Sequence, residues 1–236
     1  MAWWSRLVPG SKGAARREPL LGRTGQNASH LSAAREWLAI QSGRPFSWTA
    51  FDPLPEGPTL YLGDPLSDIE TLGHVTLPEA AFPLTPWVFE SGDESDAYYA
   101  HTNSLIWLEA AGTMPHTKQM VLEFSVDAGC IGIFTETGRT ALVKLDAVEG
   151  PGTTFEWLTA RIPPGAHFAV TLSVSTGHAS LFIASTGSDG GFGAASLYDK
   201  RGILSGVLID IAGRAGDRCF IDRLLPEQGR ARSHPG

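Results

Sequence analysis

The stretch VLIDIAGRAGDRCFIDRLLP, Val207 to Pro226, admits two incompatible readings. In one, an apolar strand reaches Asp210 and feeds a turn holding Gly213 and Gly216, as in a loop that cradles a nucleotide-like cofactor. In the other, Val207, Ile209 and Ile211 alternate along one strand, GRAGD turns, and Cys219 and Ile221 alternate back along a second. The first makes an enzyme; the second closes a β-sandwich. Where the cofactor turn needs glycine two positions after the acid, this chain has Ala212. Twenty residues follow Gly216, whereas one strand–helix–strand unit takes about 30 and a cofactor-binding sheet takes several. The hairpin is the better reading, with Asp210 and Asp222 accepting hydrogen bonds from strand-end backbone.

The segments upstream have the same texture. WVFE, SLIWLEA, KQMVLEFSVD, CIGIFTE, TALVKLDAV, TFEWLTARI, HFAVTLSVS, ASLFIAST and GVLIDIAG are short strand-like runs. Met120, Leu122, Phe124 and Val126 fall on one side of KQMVLEFSVD; Phe168, Val170, Leu172 and Val174 face inward from HFAVTLSVS. DAG, ETGR, EGPGTT, PPGA and STGH punctuate them as turns, and GSDGGFG (Gly187–Gly193) reads as a loop. Period-two runs about ten residues apart, with no helix-period segment between them, predict an all-β, antiparallel, jelly-roll-like β-sandwich over residues 87–226.

Ahead of it, residues 1–28 read as a flexible basic leader and 29–44 as a helix. In SHLSAAREWLAIQSG, Ser29 caps the helix, Leu31, Ala34, Leu38 and Gln41 share a face, and Gly43 stops it. Residues 45–86 hold eight of the sixteen prolines and read as an extended acidic connector with edge strands at most. Residues 227–236 read as a disordered tail.

The net charge of −7 is segregated. Residues 1–44 carry seven Lys or Arg against two acids, and residues 45–117 carry eleven acids with no Lys or Arg. That acidic block argues against nucleic acid as a ligand, and no apolar run is long enough to span a membrane. Without a secretion signal the expected location is cytoplasmic, or within an assembled particle. Cys130 and Cys219 read as buried free thiols, with pairing across a sheet left open.

SGDESDAYY (Ser91–Tyr99) is the most chemically loaded stretch. Asp93, Glu94 and Asp96 offer closely spaced hard oxygens for Ca²⁺, at a spacing unlike the twelve-residue EF-hand loop. Aromatic rings cover the C–H faces of sugars while polar neighbours satisfy the hydroxyls. Trp87, Tyr98, Tyr99 and Trp107, with His101 beside the acidic loop, are the candidate ligand-binding residues; Trp157 reads as core. No HExxH and no GxSxG occurs, so neither a His-metal site nor a serine hydrolase elbow is indicated. A carboxylate pair for glycoside hydrolysis stays open.

WVFESGDESDAYYAHTNSLIWLEA, followed by VLEFSVDAGCIGIFTETGRTALVKLDAVEGPGTTFEWLTARIPPGAHFAVTLSVSTGHASLFIAST, resembles the accessory β-sandwich found beside FkbM-type methyltransferases and in other glycan-linked bacterial proteins. The shared texture is an early "W…SGDE…Y", a strand with "G.IGI", and "IPPG" before two closing strands, over about half the chain. The resemblance implies a non-catalytic, glycan-associated module. The expected function is binding of a polysaccharide or glycan without catalysis. One alternative is a spike or adhesion component of a phage-like or gene-transfer particle, anchored in a larger assembly through residues 1–44. Another is a small glycan-modifying enzyme.

Overall fold

The computed structural model describes residues 32–42, 46–55, 57–78, 81–91, 103–164, 168–174, 179–187, 189–211 and 225–226. In chain order the elements are α1 (Ala33–Ser42), β1 (Phe46–Ala50), β2 (Thr59–Gly63), β3 (Gly73–Thr76), β4 (Thr85–Ser91), β5 (Asn103–Glu109), β6 (Thr117–Val126), β7 (Cys130–Thr135), α2 (Glu136–Glu149), α3 (Thr153–Thr159), β8 (Ala169–Ser173), β9 (Ser180–Ser185), β10 (Gly190–Tyr198) and β11 (Leu204–Asp210). The strands form a six-stranded sheet, β1-β4-β5-β11-β10-β6, and a five-stranded sheet, β3-β2-β7-β9-β8. Every pairing among the described strands is antiparallel.

β11 settles the opening question. It lies between β10 and β5, antiparallel to both. A cofactor-cradling turn follows a strand of a parallel sheet, so that reading is excluded here. The hairpin needs correction too. Both edges of β11 are taken, so a return strand has no edge of β11 to pair with. Residues 212–224 lie outside the described residues; the chain is described again at Leu225–Pro226, where the Pro226 carbonyl accepts the Lys118 N–H at the start of β6.

Three apolar layers hold the molecule together. Between the sheets, Leu60, Leu62, Ile131 and Ile133 meet Val88, Ile106, Leu108, Val207 and Ile209. On the outside of the six-stranded sheet, Ala34 and Leu38 of α1 pack on Phe89, Leu105, Trp107, Ala195, Leu197 and Leu208. On the outside of the five-stranded sheet, Leu142 of α2 and Leu158 of α3 pack with Cys130, Phe134, Leu181 and Ile183. The sandwich is thus flanked by helices on both faces. That is why β7, β9 and β11 are buried along their whole length: each side of these strands has something to pack against.

Two segments expected as strands are helices. TALVKLDAV lies in α2, and TFEWLT of the second run forms α3. Their buried positions are Gly138 and Leu142 in α2, and Thr154 and Leu158 in α3. These are i, i+4 pairs, the spacing of a helix face. Glycine and threonine stand at half of them, so the apolar period was faint. ETGR, which reads as a turn in the sequence, is the first turn of α2, whose Thr135 cap accepts the Gly138 N–H at 3.1 Å. Gly138 has no room for a side chain, because an added Cβ would collide with the Ser180 carbonyl. Asp146 of α2 caps α3 in turn by accepting the Thr154 N–H at 2.8 Å.

Of two expected alternations, one is broken by a bulge and the other keeps its pattern but faces a different layer. In β6 the pairing shifts between Leu122 and Met120, and this bulge turns Met120 to the outer face while Leu122 and Phe124 stay between the sheets. In the β8 run, Phe168, Val170, Leu172 and Val174 face the α2–α3 layer, whereas Ala169 faces the opposite sheet. In residues 45–86, β1 and β3 are edge strands but β2 is internal. The prolines there fall outside β1, β2 and β3, so TLYLG keeps every N–H it needs for two ladders. The N-terminal helix begins at Ala33, and its cap is Ser32, whose Oγ accepts the Arg35 N–H at 3.3 Å. Ser29 lies outside the described residues.

Cys130 is a free, buried thiol. Burial first, then the nearby Asp64 charge, push its pKa up to about 12. At pH 8 only about one such thiol in ten thousand is ionised, and the thiolate is the reactive form. Iodoacetamide at pH 8 is expected to leave Cys130 unmodified in the folded protein and to alkylate it in urea, read by site-resolved mass spectrometry. Rapid native-state labelling at Cys130 contradicts the burial.

Candidate functional site

Aromatic rings concentrate on the outer face of the six-stranded sheet. Trp87 in β4 and Trp107 in β5 are directly opposite partners. Trp48 in β1 sits beside them, paired with Phe89 and two positions along the strand from Ala50, the partner of Trp87. Side chains two apart on a strand share a face, so residues 87 and 89 on β4 and 105 and 107 on β5 all point outward. Trp48 and Trp87 meet edge to face, with ring centroids 6.5 Å apart, a favoured aromatic geometry. Trp37 of α1 packs on the same cluster.

Of the sequence-predicted site residues, Trp87 and Trp107 are therefore brought together. Trp87 is half-buried. Trp107 is fully buried, so its ring is not an open stacking platform. It lies over Gly206 of β11, the residue whose missing side chain leaves space for the indole. Tyr98, Tyr99, His101, Asp93, Glu94 and Asp96 lie outside the described residues. Trp157, expected in the core, is on α3 and half-buried, with the Arg161 guanidinium 4.2 Å from its ring centroid.

Sequence reasoning missed Trp48, Arg35 and Glu109. The Arg35 guanidinium carbon stands 3.5 Å from the Trp87 ring centroid, a cation–π contact. Its Nε is 3.4 Å from Glu109 Oε2. Ser32 Oγ donates a short hydrogen bond to Glu109 Oε1. Glu109, at the end of β5, thus grips the first turn of α1 twice. The one available signal was parity: in SLIWLEA, Glu109 shares the outward face with Leu105 and Trp107.

The indole N–H groups of Trp48, Trp87 and Trp107 are buried and have no hydrogen-bond partner among the described residues. A buried donor without an acceptor costs about 1–3 kcal/mol. Native proteins leave few such groups. Three such donors lie on one sheet face, beside rings in edge-to-face contact.

A concave region lies elsewhere, between the 65–70 loop and the α2–α3 layer. A cavity of about 130 Å³ is bounded by Leu66, Asp68, Glu70, Asp146, Thr154 and Phe155 among others. Its loop is tied to α2 by Arg139, whose Nε and Nη2 donate to the Ile69 and Glu70 carbonyls, each at 2.9 Å. Arg139 also stacks on Tyr61, 4.5 Å from the ring centroid. Tyr61 donates a short hydrogen bond to Glu136; that bond first, then burial, hold the phenol above its ordinary pKa. Tyr61 and Glu136 are engaged with each other and act as a clamp between β2 and α2.

Among the described residues no group of three or more His, Cys, Asp or Glu is placed to hold a metal ion. None of the described helices is long and apolar enough to cross a membrane. No protein-family model matches the chain, and no curated protein and no solved structure matches it.

Proposed function

We propose that the protein is a non-catalytic carbohydrate-binding β-sandwich whose binding surface is the tryptophan-rich outer face of the six-stranded sheet. The observation that carries this reading is the Trp48–Trp87 pair at the β1 edge, both rings half-buried and in edge-to-face contact. A sugar ring laid on such a surface covers its C–H groups. The likeness to glycan-associated accessory sandwiches points the same way. A role for α1 as an anchor in a larger assembly is less favoured, because Ala34 and Leu38 are spent on this chain's own sheet.

Affinity gel electrophoresis against a panel of soluble polysaccharides tests this. At least one is expected to retard the wild-type protein. Trp48→Ala is expected to weaken that binding at least about tenfold, the usual effect of deleting an aromatic anchor, with the thermal melt checked for a folded variant. If no polysaccharide retards the wild type, or if Trp48→Ala binds equally well, the reading falls.

A further inference from the structure

The donor-lined face is covered, and among the described residues the cover is fastened at its first turn by Glu109. α1 spans ten residues, a length that is marginal as an isolated helix. It contributes two fully buried side chains to the layer beneath, Ala34 and Leu38. Its first turn is held by Glu109, which accepts the Ser32 hydroxyl on one oxygen and pairs with Arg35 on the other. The two partners are 11% and 13% exposed, so solvent and salt screen them less than a surface pair. Through that pair the guanidinium is parked on the Trp87 ring, one of the surfaces a sugar would need. Behind it is Trp107, fully buried with its N–H unpartnered among the described residues.

We infer that α1 is a displaceable cover, latched by Glu109, over a cryptic binding face lined by the indole donors of Trp87 and Trp107. The ligand class is a neutral, acceptor-rich molecule with apolar ring faces, of the carbohydrate type. In the closed state the guanidinium of Arg35 occupies the stacking position, and the indole donors have no acceptor among the described residues. Opening exposes the ring of Trp87 and gives both N–H groups access to ligand oxygens. The inference rests on the carbohydrate reading for the nature of the ligand, but not for the movement of the helix.

The test separates the two. Glu109→Gln keeps the shape of the side chain and removes the charge that holds Arg35; Arg35→Met keeps the apolar stem and removes the guanidinium from Trp87. Amide hydrogen exchange and acrylamide quenching of tryptophan fluorescence are measured on the full chain without ligand. In both variants exchange in α1 is expected to rise at least about fivefold, as for loss of about 1 kcal/mol of local stability. Quenching rises with it, and exchange in β5 and β11 stays at the wild-type rate. Unchanged α1 exchange, or acceleration spread equally over the sheets, overturns the latch. A polysaccharide that retards the wild type is then expected to bind both variants more tightly. If it binds them equally or more weakly, the cover does not gate that ligand. If α1 loosens and no polysaccharide binds any form, the cover stands and the carbohydrate reading fails.

Discussion

Gly206→Ala is expected to destabilise the protein by about 3 kcal/mol or more, as overpacking at a site that cannot relax. Gly206 sits in β11 opposite Glu109 of β5. A Cβ there would fall on the Leu108 carbonyl oxygen and 2.5 Å from the Trp107 ring. Neither can retreat. β5 is bound on both sides, by β4 and β11, and the Trp107 ring is buried under α1. For a domain of this size such a loss corresponds to roughly 6–12 °C in melting temperature, read by thermal unfolding. Gly191→Ala on β10 is the control: the nearest atom to its added Cβ is 4.0 Å away, and its melt is expected to match the wild type. A Gly206→Ala melt that also matches would show that the indole does not lie across β11.

Asp64→Ala is expected to cost a similar amount, about 3 kcal/mol in urea unfolding, through lost hydrogen bonds rather than a clash. Asp64 is buried and follows β2. Its Oδ1 accepts the Leu66 N–H, and its Oδ2 accepts the Asp127 and Ala128 N–H groups, each at 2.8 Å. One carboxylate therefore fixes both its own loop and the β6–β7 turn. Charge-assisted bonds of this kind contribute more than neutral ones, and alanine leaves three donors without an acceptor. Asp64→Asn keeps one oxygen and is expected to lose only part of the stability. Equal stability of alanine and wild type would mean that water satisfies those donors and the carboxylate organises nothing. The 64–72 segment also walls the cavity near α2, so Asp64→Ala is expected to loosen that region first.

Legibility in the sequence followed the range of the interaction involved. The strand runs around Ile106, Ile133, Phe182 and Val207 were readable because alternation needs only a residue and its next-but-one neighbour. The helices at 136–149 and 153–159 were missed because their buried stripes use Gly138 and Thr154. A side chain is absent or small there for tertiary reasons: the Ser180 carbonyl presses on Gly138, and Thr154 Oγ1 donates to the Leu142 carbonyl. The outward turn of Met120 was invisible because a bulge is a property of two strands. At the candidate site, Trp87 and Trp107 stood out as aromatics in strand-like runs. Trp48 lay in a proline-rich stretch and Arg35 on a distant helix, so nothing local linked them to Glu109.

What the amino-acid sequence determined by itself is the antiparallel sandwich, because alternation and the Gly and Pro turns are written into consecutive residues and disfavour a parallel, helix-separated sheet. It also placed tryptophans in strand-like runs, at Trp87 and Trp107. Only the tertiary structure decided that β11 is shared by two neighbours, that both sheets carry helices outside, and that α1 covers the tryptophan face under the hold of Glu109. Those outcomes depend on packing between residues far apart in the chain, such as Ser32 and Glu109, 77 positions apart, and such contacts are set by which surfaces fit together once the whole chain has collapsed.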